Sequence, residues 1–474
     1  KLNTQIELST VFYEHCWREF LLPQGIIAFV MPRSTLTGAK QHRRFQQLGF
    51  SRILDLDDVA PLFRVPSCVL IRHLGALSVE EIPTTIYAGR LPSQECDLAH
   101  ARVALSHMAG TTSFTATDEI ASLYYHPRVI NGATLYPRTL TFVTAAQPGL
   151  KPSELATSTI VRTDPDAATE AKEPWKQLAL EGHVDGDFLY ATLVSKNLVP
   201  FGVRRFNLAA LPIRIGLPSQ VADLPGEERV ERFLPMSIDE MRDSIQYARS
   251  ADGWFAPAEK LWSKYRKSVG MSLWDRFNYQ QGVTQQPAVP CQLVVYNASG
   301  SNIAATLLDT TALPNINHTR PHGFVLDHTA YWYRCATPDE GHYLAALLNA
   351  PSVDAAIKAH QTRGMFGARH IHRRPFEVCP IPQFDARNPD HLQLAALSRQ
   401  AHDAVAALDL AEGGVVAARK RARAAVAAQL AEMDAIAQRL LRLAPVPVGI
   451  PAATGGAEED DERSLAEEET PDDE

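Results

Sequence analysis

No stretch of this 474-residue chain is apolar for the roughly 20 consecutive residues that a helical membrane span requires. Cysteine is sparse as well. The six thiols (Cys16, Cys68, Cys96, Cys291, Cys335 and Cys379) are far apart and include no C-x-x-C pair. That spacing argues against a zinc module and a disulfide framework, and it fits a reducing cytoplasm. The catalytic signatures that are easiest to recognise are missing too. There is no G-x-S-x-G elbow, no H-E-x-x-H, no Walker loop and no G-x-G-x-x-G, which removes the usual marks of serine hydrolases, zinc proteases, P-loop enzymes and dinucleotide binders. What remains is ordinary globular material, 45% apolar and 21% charged, long enough for about three domains and too apolar for wholesale disorder.

Charge of one sign is concentrated at one end. Of the net −8, residues 458–474 carry −10 (seven Glu and four Asp against Arg463), which leaves the rest of the chain at +2. The body is close to neutral, so overall acidity says nothing about its partners. The first residue is Lys1, and no signal-peptide pattern follows it. The expectation is a processed chain or a piece of a longer one.

Thr4-Gln5-Ile6-Glu7 reads as a capping box, and Leu8, Val11, Phe12, Cys16 and Phe20 recur at helical spacing, which predicts a helix over 4–21. Residues 25–31 are nearly all apolar and end at Pro32, the pattern of a strand buried on both faces. A polar helix near 40–48 and two short strands, 53–56 and 67–71, follow. This order is how an open α/β sheet ends when its last two strands pair as a hairpin. Past about residue 80 the alternation stops. Short strands are expected at 139–144, 293–296 and 331–333, and residues 145–173 read as a surface excursion. Helices are expected at 337–348 and 353–360. The Ala-rich region 390–443 predicts long helices broken near Gly413-Gly414, with a stripe of Val426, Leu430, Met433, Ile436 and Leu440. The acidic end should be disordered.

The most suggestive chemistry lies between Lys358 and Arg374. Lys358, Arg363, Arg369, Arg373 and Arg374 occur there with three histidines, among them His370 and His372, and with no acid. Glycines around Arg363 and Arg369 let backbone amides approach a ligand. Such a loop suits phosphates and guanine edges; the alternative is a solvated basic edge paired with the acidic tail. His370-Ile371-His372 is the only close histidine pair, and no carboxylate or cysteine accompanies it, so no metal site is expected. Glu170-Ala171-Lys172 reads as a solvated charge run.

Gly25 to Pro32 with Arg33-Ser34 resembles the strand that follows the catalytic loop in adenine-N6 DNA methyltransferases. Val59 to Arg72 is similar to that family's last strand pair and the turn between its strands. Gly132 to Arg138, Leu344 to Pro351 and Arg363 to Pro382 resemble the C-terminal half of the large restriction-modification methylases. The succession of these segments over most of residues 1–400 is more specific than any one of them. Departures from the family matter equally. Neither the glycine-rich turn for S-adenosylmethionine nor Asn/Asp-Pro-Pro-Tyr/Phe occurs; Asn388-Pro389-Asp390 lacks the second proline and the aromatic. In the family both motifs precede the first helix seen here, so no catalytic or cofactor-binding residue is expected in this chain, and both are expected upstream of Lys1.

The resemblance implies an α/β fold: the end of a Rossmann-like methyltransferase sheet (1–80), an irregular α+β target-recognition domain (81–389), an Ala-rich helical region (390–445) and a disordered acidic tail (446–474). It implies a site-specific, base-flipping methylase of a restriction-modification or phage-defence system, with S-adenosylmethionine as cofactor and double-stranded DNA as partner. The isolated chain would then bind DNA weakly and not methylate it. The resemblance places the base-stacking ring at Phe63, whose other reading is a core phenylalanine beside Leu62. From a different class, the chain reads as a DNA-sequence specificity subunit that recruits a separate methylase or restriction subunit.

Overall fold

The computed structural model describes residues 8–443 except 23, 38–42, 64–65, 74–80, 114–122, 147–157, 177, 218–229, 268–269, 359–360, 362–369 and 412. The chain divides into two compact units: 1–126 with 358–370, and 127–357 with 371–474.

The first unit opens on α1 (Leu8–Glu19). Its buried Tyr13 meets Phe29, Phe45 and Phe50 edge-on at ring distances of 5.3, 5.5 and 5.9 Å, the geometry aromatic quadrupoles favour. These rings pack with Ile27, Met31, Ile53, Cys68 and Leu70 in one core. The sheet beneath consists of β1 (Ile26–Pro32), β2 (Arg52–Ala60), β3 (Ser67–His73), β4 (Glu81–Arg90) and β5 (Leu105–Ser113), in the order β1-β3-β2-β4-β5. β3 is antiparallel to both β1 and β2, so those two run the same way with β3 between them. β4 is parallel to β2, and β5 antiparallel to β4.

Two expectations change here. β1 is not buried on both faces: Ile27 and Met31 enter the core, but Ile26 and Val30 are 59% and 54% exposed. β1 ends the sheet among the described residues, and only its α1 side is covered. The sheet also continues past residue 80 through β4 and β5, which lengthen the first compact unit to residue 126. These strands escape a hydrophobicity reading because they bury little. Most of β5 is exposed, and the helix before it (Leu98–Ala104) has no buried residue.

Among the described residues the second unit holds two two-stranded sheets, Leu198–Val199 with Gly202–Val203 and Ile213–Gly216 with Arg232–Pro235, and two larger ones. One has six strands in the order Gly323–Phe324, Leu189–Thr192, Asn207–Ala210, Phe142–Ala145, Ser158–Thr163 and Glu181–Asp185; the other has four, Ala305–Asp309, Gln292–Asn297, Ala330–Arg334 and Ile130–Asn131. Val143 and Leu208 from the first share a core with Leu293, Val295 and Trp332 from the second. The excursion expected over 145–173 is partly interior. Ser158–Thr163 lies between two strands with Val161 fully buried, and Trp175 just beyond it stacks on Trp262 at 5.7 Å. A short, mostly polar strand with one inward apolar anchor leaves almost no pattern to read.

The helices follow expectation more closely. Thr337 caps Pro338–Asn349 by accepting from the Glu340 amide. Helices Pro389–Ala406, Val415–Ala425 and Ala427–Leu441 form the C-terminal region, and Gly413, at φ 82°, sits in the break. Val426, Leu430, Met433 and Ile436 are buried as the stripe predicts, whereas Leu440 is only partly buried and Leu441 takes the buried place. The acidic tail lies outside the described residues.

Candidate nucleic-acid interface

Parallel β1, β2 and β4 all end at the same edge of their sheet. The β2–β3 ladder stops at Asp55 opposite Cys68, and the β1–β3 ladder runs to Pro32 opposite Ser67. Beyond Asp55 the rest of β2 pairs, among the described residues, only with β4, as far as Ala60, and Pro61–Phe63 follow it before β3 begins at Ser67. Phe63 is 53% exposed; it is not a core residue.

The segment after β1 is held by its own hydrogen bonds. The buried Thr35 hydroxyl donates to the Pro32 carbonyl at 2.8 Å, and the Gln46 amide donates to the Thr35 and Leu36 carbonyls at 2.9 and 3.0 Å. The Arg33 backbone N–H donates to the Pro66 carbonyl at 2.8 Å. Its guanidinium reaches Asp55 of β2 through Nε to both carboxylate oxygens (2.9 and 3.0 Å) and Nη2 to Oδ2 (2.9 Å), with Asp57 Oδ2 at 3.6 Å. The sequence holds one faint sign of this pair. Asp55 shares strand parity with the buried Ile53, so it is an acid on an inward-facing position.

The basic segment is only partly visible. Arg363 and Arg369 lie outside the described residues. Lys358, half-buried, ends the helix Pro351–Lys358; it and His370 belong to the first compact unit, while His372, Arg373 and Arg374 belong to the second. His372 is exposed, at φ 43°. Its amide donates to the Ala298 carbonyl and its carbonyl accepts from the Tyr296 hydroxyl, both at 2.8 Å. Its Nδ1 lies 3.3 Å from the Tyr331 hydroxyl. Tyr296 and Tyr331 are buried and stacked at 5.6 Å, and burial pushes both phenols up, so they remain protonated donors. This tyrosine pair was not anticipated, because aromatics on adjacent strands become neighbours only once the register is known. Arg373 precedes the short helix Arg374–Val378, and Arg374 bonds Glu377 at 3.0 Å.

Among the described residues no group of three or more His, Cys, Asp or Glu side chains could hold a metal, and no helix is long and apolar enough to cross a membrane. Glu170 pairs with Lys196.

No family model matches the chain, and no curated protein does. Among solved structures it is similar to the type IIL restriction-modification enzyme MmeI in complex with DNA, at TM-score 0.49 and 10% identity, covering 98% of this chain and 53% of that one. It is also similar to the type IIG restriction endonuclease BpuSI, at TM-score 0.26 and 13% identity, covering 92% and 50%. The chain spans about half the length of either.

Proposed function

We propose that this chain is the sheet-closing and DNA-recognising part of an S-adenosylmethionine-dependent, site-specific adenine-N6 DNA methyltransferase of a restriction-modification or phage-defence system. One observation carries the reading: the half-exposed Phe63 ring, in the turn that joins β2 to an inserted antiparallel β3, at the carboxyl edge of the parallel strands. Open α/β sheets bind their ligands at that edge. Methylating N6 of adenine within a duplex requires the base to leave the stack, at a cost of a few kcal/mol. An aromatic face waiting outside the helix returns about 1–3 kcal/mol of that by stacking.

The cofactor does not fit the turn that leaves β1. The chain leaves β1 through Pro32-Arg33-Ser34, where Arg33 is committed to Asp55, and this turn offers no glycine-lined cradle. On this reading the methyl donor is not held at this turn.

The test uses a duplex carrying one extrahelical 2-aminopurine, in which unstacking is already prepaid and the target sequence need not be known. The wild-type chain is expected to quench its fluorescence on binding. Phe63→Ala should lose the quench and weaken binding by about 1–3 kcal/mol, or ~5- to 150-fold. Equal quenching and equal affinity in the variant would sink the reading.

A second expected result concerns the basic segment. Replacing Arg363, Arg369, Arg373 and Arg374 together should flatten the salt dependence of duplex binding, the slope falling by about 0.9 for each phosphate that is no longer neutralised. Arg374 should contribute least, since Glu377 already holds its guanidinium. Binding isotherms across a potassium chloride series measure it. An unchanged slope would return the segment to a solvated basic edge.

A further inference from the structure

We infer that Gln280 and Gln281 are specificity-determining residues, which read an adenine edge of duplex DNA from a strained turn in the second unit. The inference rests on the DNA-recognition part of the reading above and names the side chains that do the recognising.

Both residues are exposed, and both hold left-handed backbone, Gln280 at φ 52° and ψ 31° and Gln281 at φ 62°. In that conformation the Cβ of an L residue crowds the following carbonyl; asparagine, aspartate and histidine tolerate it best. The chain follows this preference elsewhere. Asn317 and His318, at φ 48° and 66°, turn the hairpin in which Ile316 and Thr319 exchange two amide bonds of 2.9 Å. At 280–281 it does not. Glycine is the default residue wherever φ is positive, yet the glycine of this turn, Gly282, stands at φ −54°. Its missing Cβ serves packing instead, since a Cβ there would lie 3.0 Å from the Ala133 Cα. Two glutamines thus occupy the two positions that glycine would fill without strain. Strain kept at adjacent exposed residues points to a use for their side chains.

The frame around them is firm. Asn278 Oδ1 accepts from the Val283 amide at 3.1 Å, the Thr284 amide at 3.0 Å and the Thr284 hydroxyl at 3.1 Å, which ties the turn across its base. The buried Gln286 donates to the Gly282 and Leu326 carbonyls at 2.9 and 3.0 Å and accepts from the Leu326 amide at 2.7 Å. Phe277 and Val283, at the two feet, share a core with Leu135 and Trp262. This frame lifts Tyr279, 48% exposed, into water together with Gln280 and Gln281.

The side chains suit one ligand in particular. A primary amide offers a donor and an acceptor side by side, which matches N7 and N6 of adenine in the major groove. The neighbouring helix suits the backbone of the same ligand. Glu259, on the helix Ala256–Tyr265, accepts from the Leu273 amide at 3.0 Å and so ties that helix to Leu273–Phe277, which leads into the turn. The same helix carries exposed Lys260 and Lys264, and exposed Lys267 follows it. Lysines attract phosphates without reading sequence, which leaves that task to the amides.

The test is a binding selection by the full chain from a pool of random duplexes, read by sequencing, so the target need not be known. The wild type is expected to enrich a motif that contains adenine. In the double variant Gln280→Gly with Gln281→Gly, discrimination at one adenine of that motif should fall by about 5- to 150-fold, the worth of a bidentate base contact, with the other positions unchanged. Melting supplies the control. Glycine relieves left-handed strain and alanine keeps it, so the double glycine variant should melt above Gln280→Ala with Gln281→Ala, the reverse of their usual order in a loop.

A glycine variant that melts above the alanine one and still enriches the full wild-type motif overturns the inference and leaves DNA recognition by the chain intact. One that melts below it shows a turn without strain, which overturns the inference as well. A wild type that enriches no motif sinks DNA recognition and this inference together.

Discussion

Replacing Asp327 by alanine is expected to cost about 3–5 kcal/mol of stability, the range for breaking a buried ion pair from one side. Asp327 is fully buried and takes Arg138 Nη2 on Oδ1 at 2.9 Å; the same oxygen accepts from the Thr329 amide at 3.0 Å and the Thr329 hydroxyl at 2.8 Å. Burial by itself would raise this carboxyl. Arg138, His328 and the Thr329 amide more than offset that and hold it well below the usual carboxylate range. Removing it takes the carboxylate from a buried guanidinium and from both Thr329 donors together. Urea unfolding of the two single variants and of the pair Arg138→Met with Asp327→Leu measures the effect. The pair should recover part of the loss and not all, since Thr329 stays without its acceptor. A single-variant cost below about 1 kcal/mol would show that the carboxylate is solvated in solution.

That network also marks the limit of what the sequence discloses. Gly132 to Arg138 resembles a segment of large methylases, yet nothing in the string joins Arg138 to an aspartate 189 positions later. The link exists only once the short turn Arg138–Leu140 has met the loop between Gly323–Phe324 and Ala330–Arg334. β1, β2 and β3 were legible because β-branched and aromatic runs between breakers leave few other conformations, and β3 pairs with β2 as the expected hairpin. β4 and β5 were not, because β5 is mostly exposed and β4 buries only Ile82 and Thr84, too little for a pattern. Basic residues mislead for a related reason. Arg419-Lys420-Arg421 within an Ala-rich helix looks like a solvated face. Arg419 is nevertheless buried, donating to the Leu198 and Ser195 carbonyls at 3.1 and 2.9 Å, and Arg423 donates to Ile303 at 3.0 Å. Arginine can serve as a donor to backbone carbonyls as readily as a charge, and composition does not separate the uses. Of the candidate site, Phe63 came through resemblance alone, and the Arg33–Asp55 pair came only with the register.

Acid is the second strong lever on this fold, and it acts through His402. This histidine lies on the helix Pro389–Ala406, its Nδ1 2.7 Å from the Ser398 carbonyl and its Nε2 3.0 Å from the Leu307 amide. A carbonyl on one side and an N–H on the other fix the neutral tautomer: Nδ1–H donates and Nε2 accepts. A second proton would face the Leu307 N–H. Burial, with His342 nearby, pulls the His402 pKa down to about 4, against smaller opposing effects of the Ser398 carbonyl and Asp403. The unfolded chain therefore binds the proton more tightly than the folded one. The stabilisation is complete above the ordinary histidine value of 6.5 and is lost as pH falls from there through about 4. The span corresponds to roughly 3 kcal/mol, and His342, also lowered mainly by burial, acts in the same direction. Unfolding free energies at a series of pH values from above 6.5 to below 4 should show this decline. In His402→Gln, which does not titrate, the curve should be flatter by most of that amount even though its plateau is lower. A variant that loses stability with acid as steeply as the wild type would place the titrating group elsewhere.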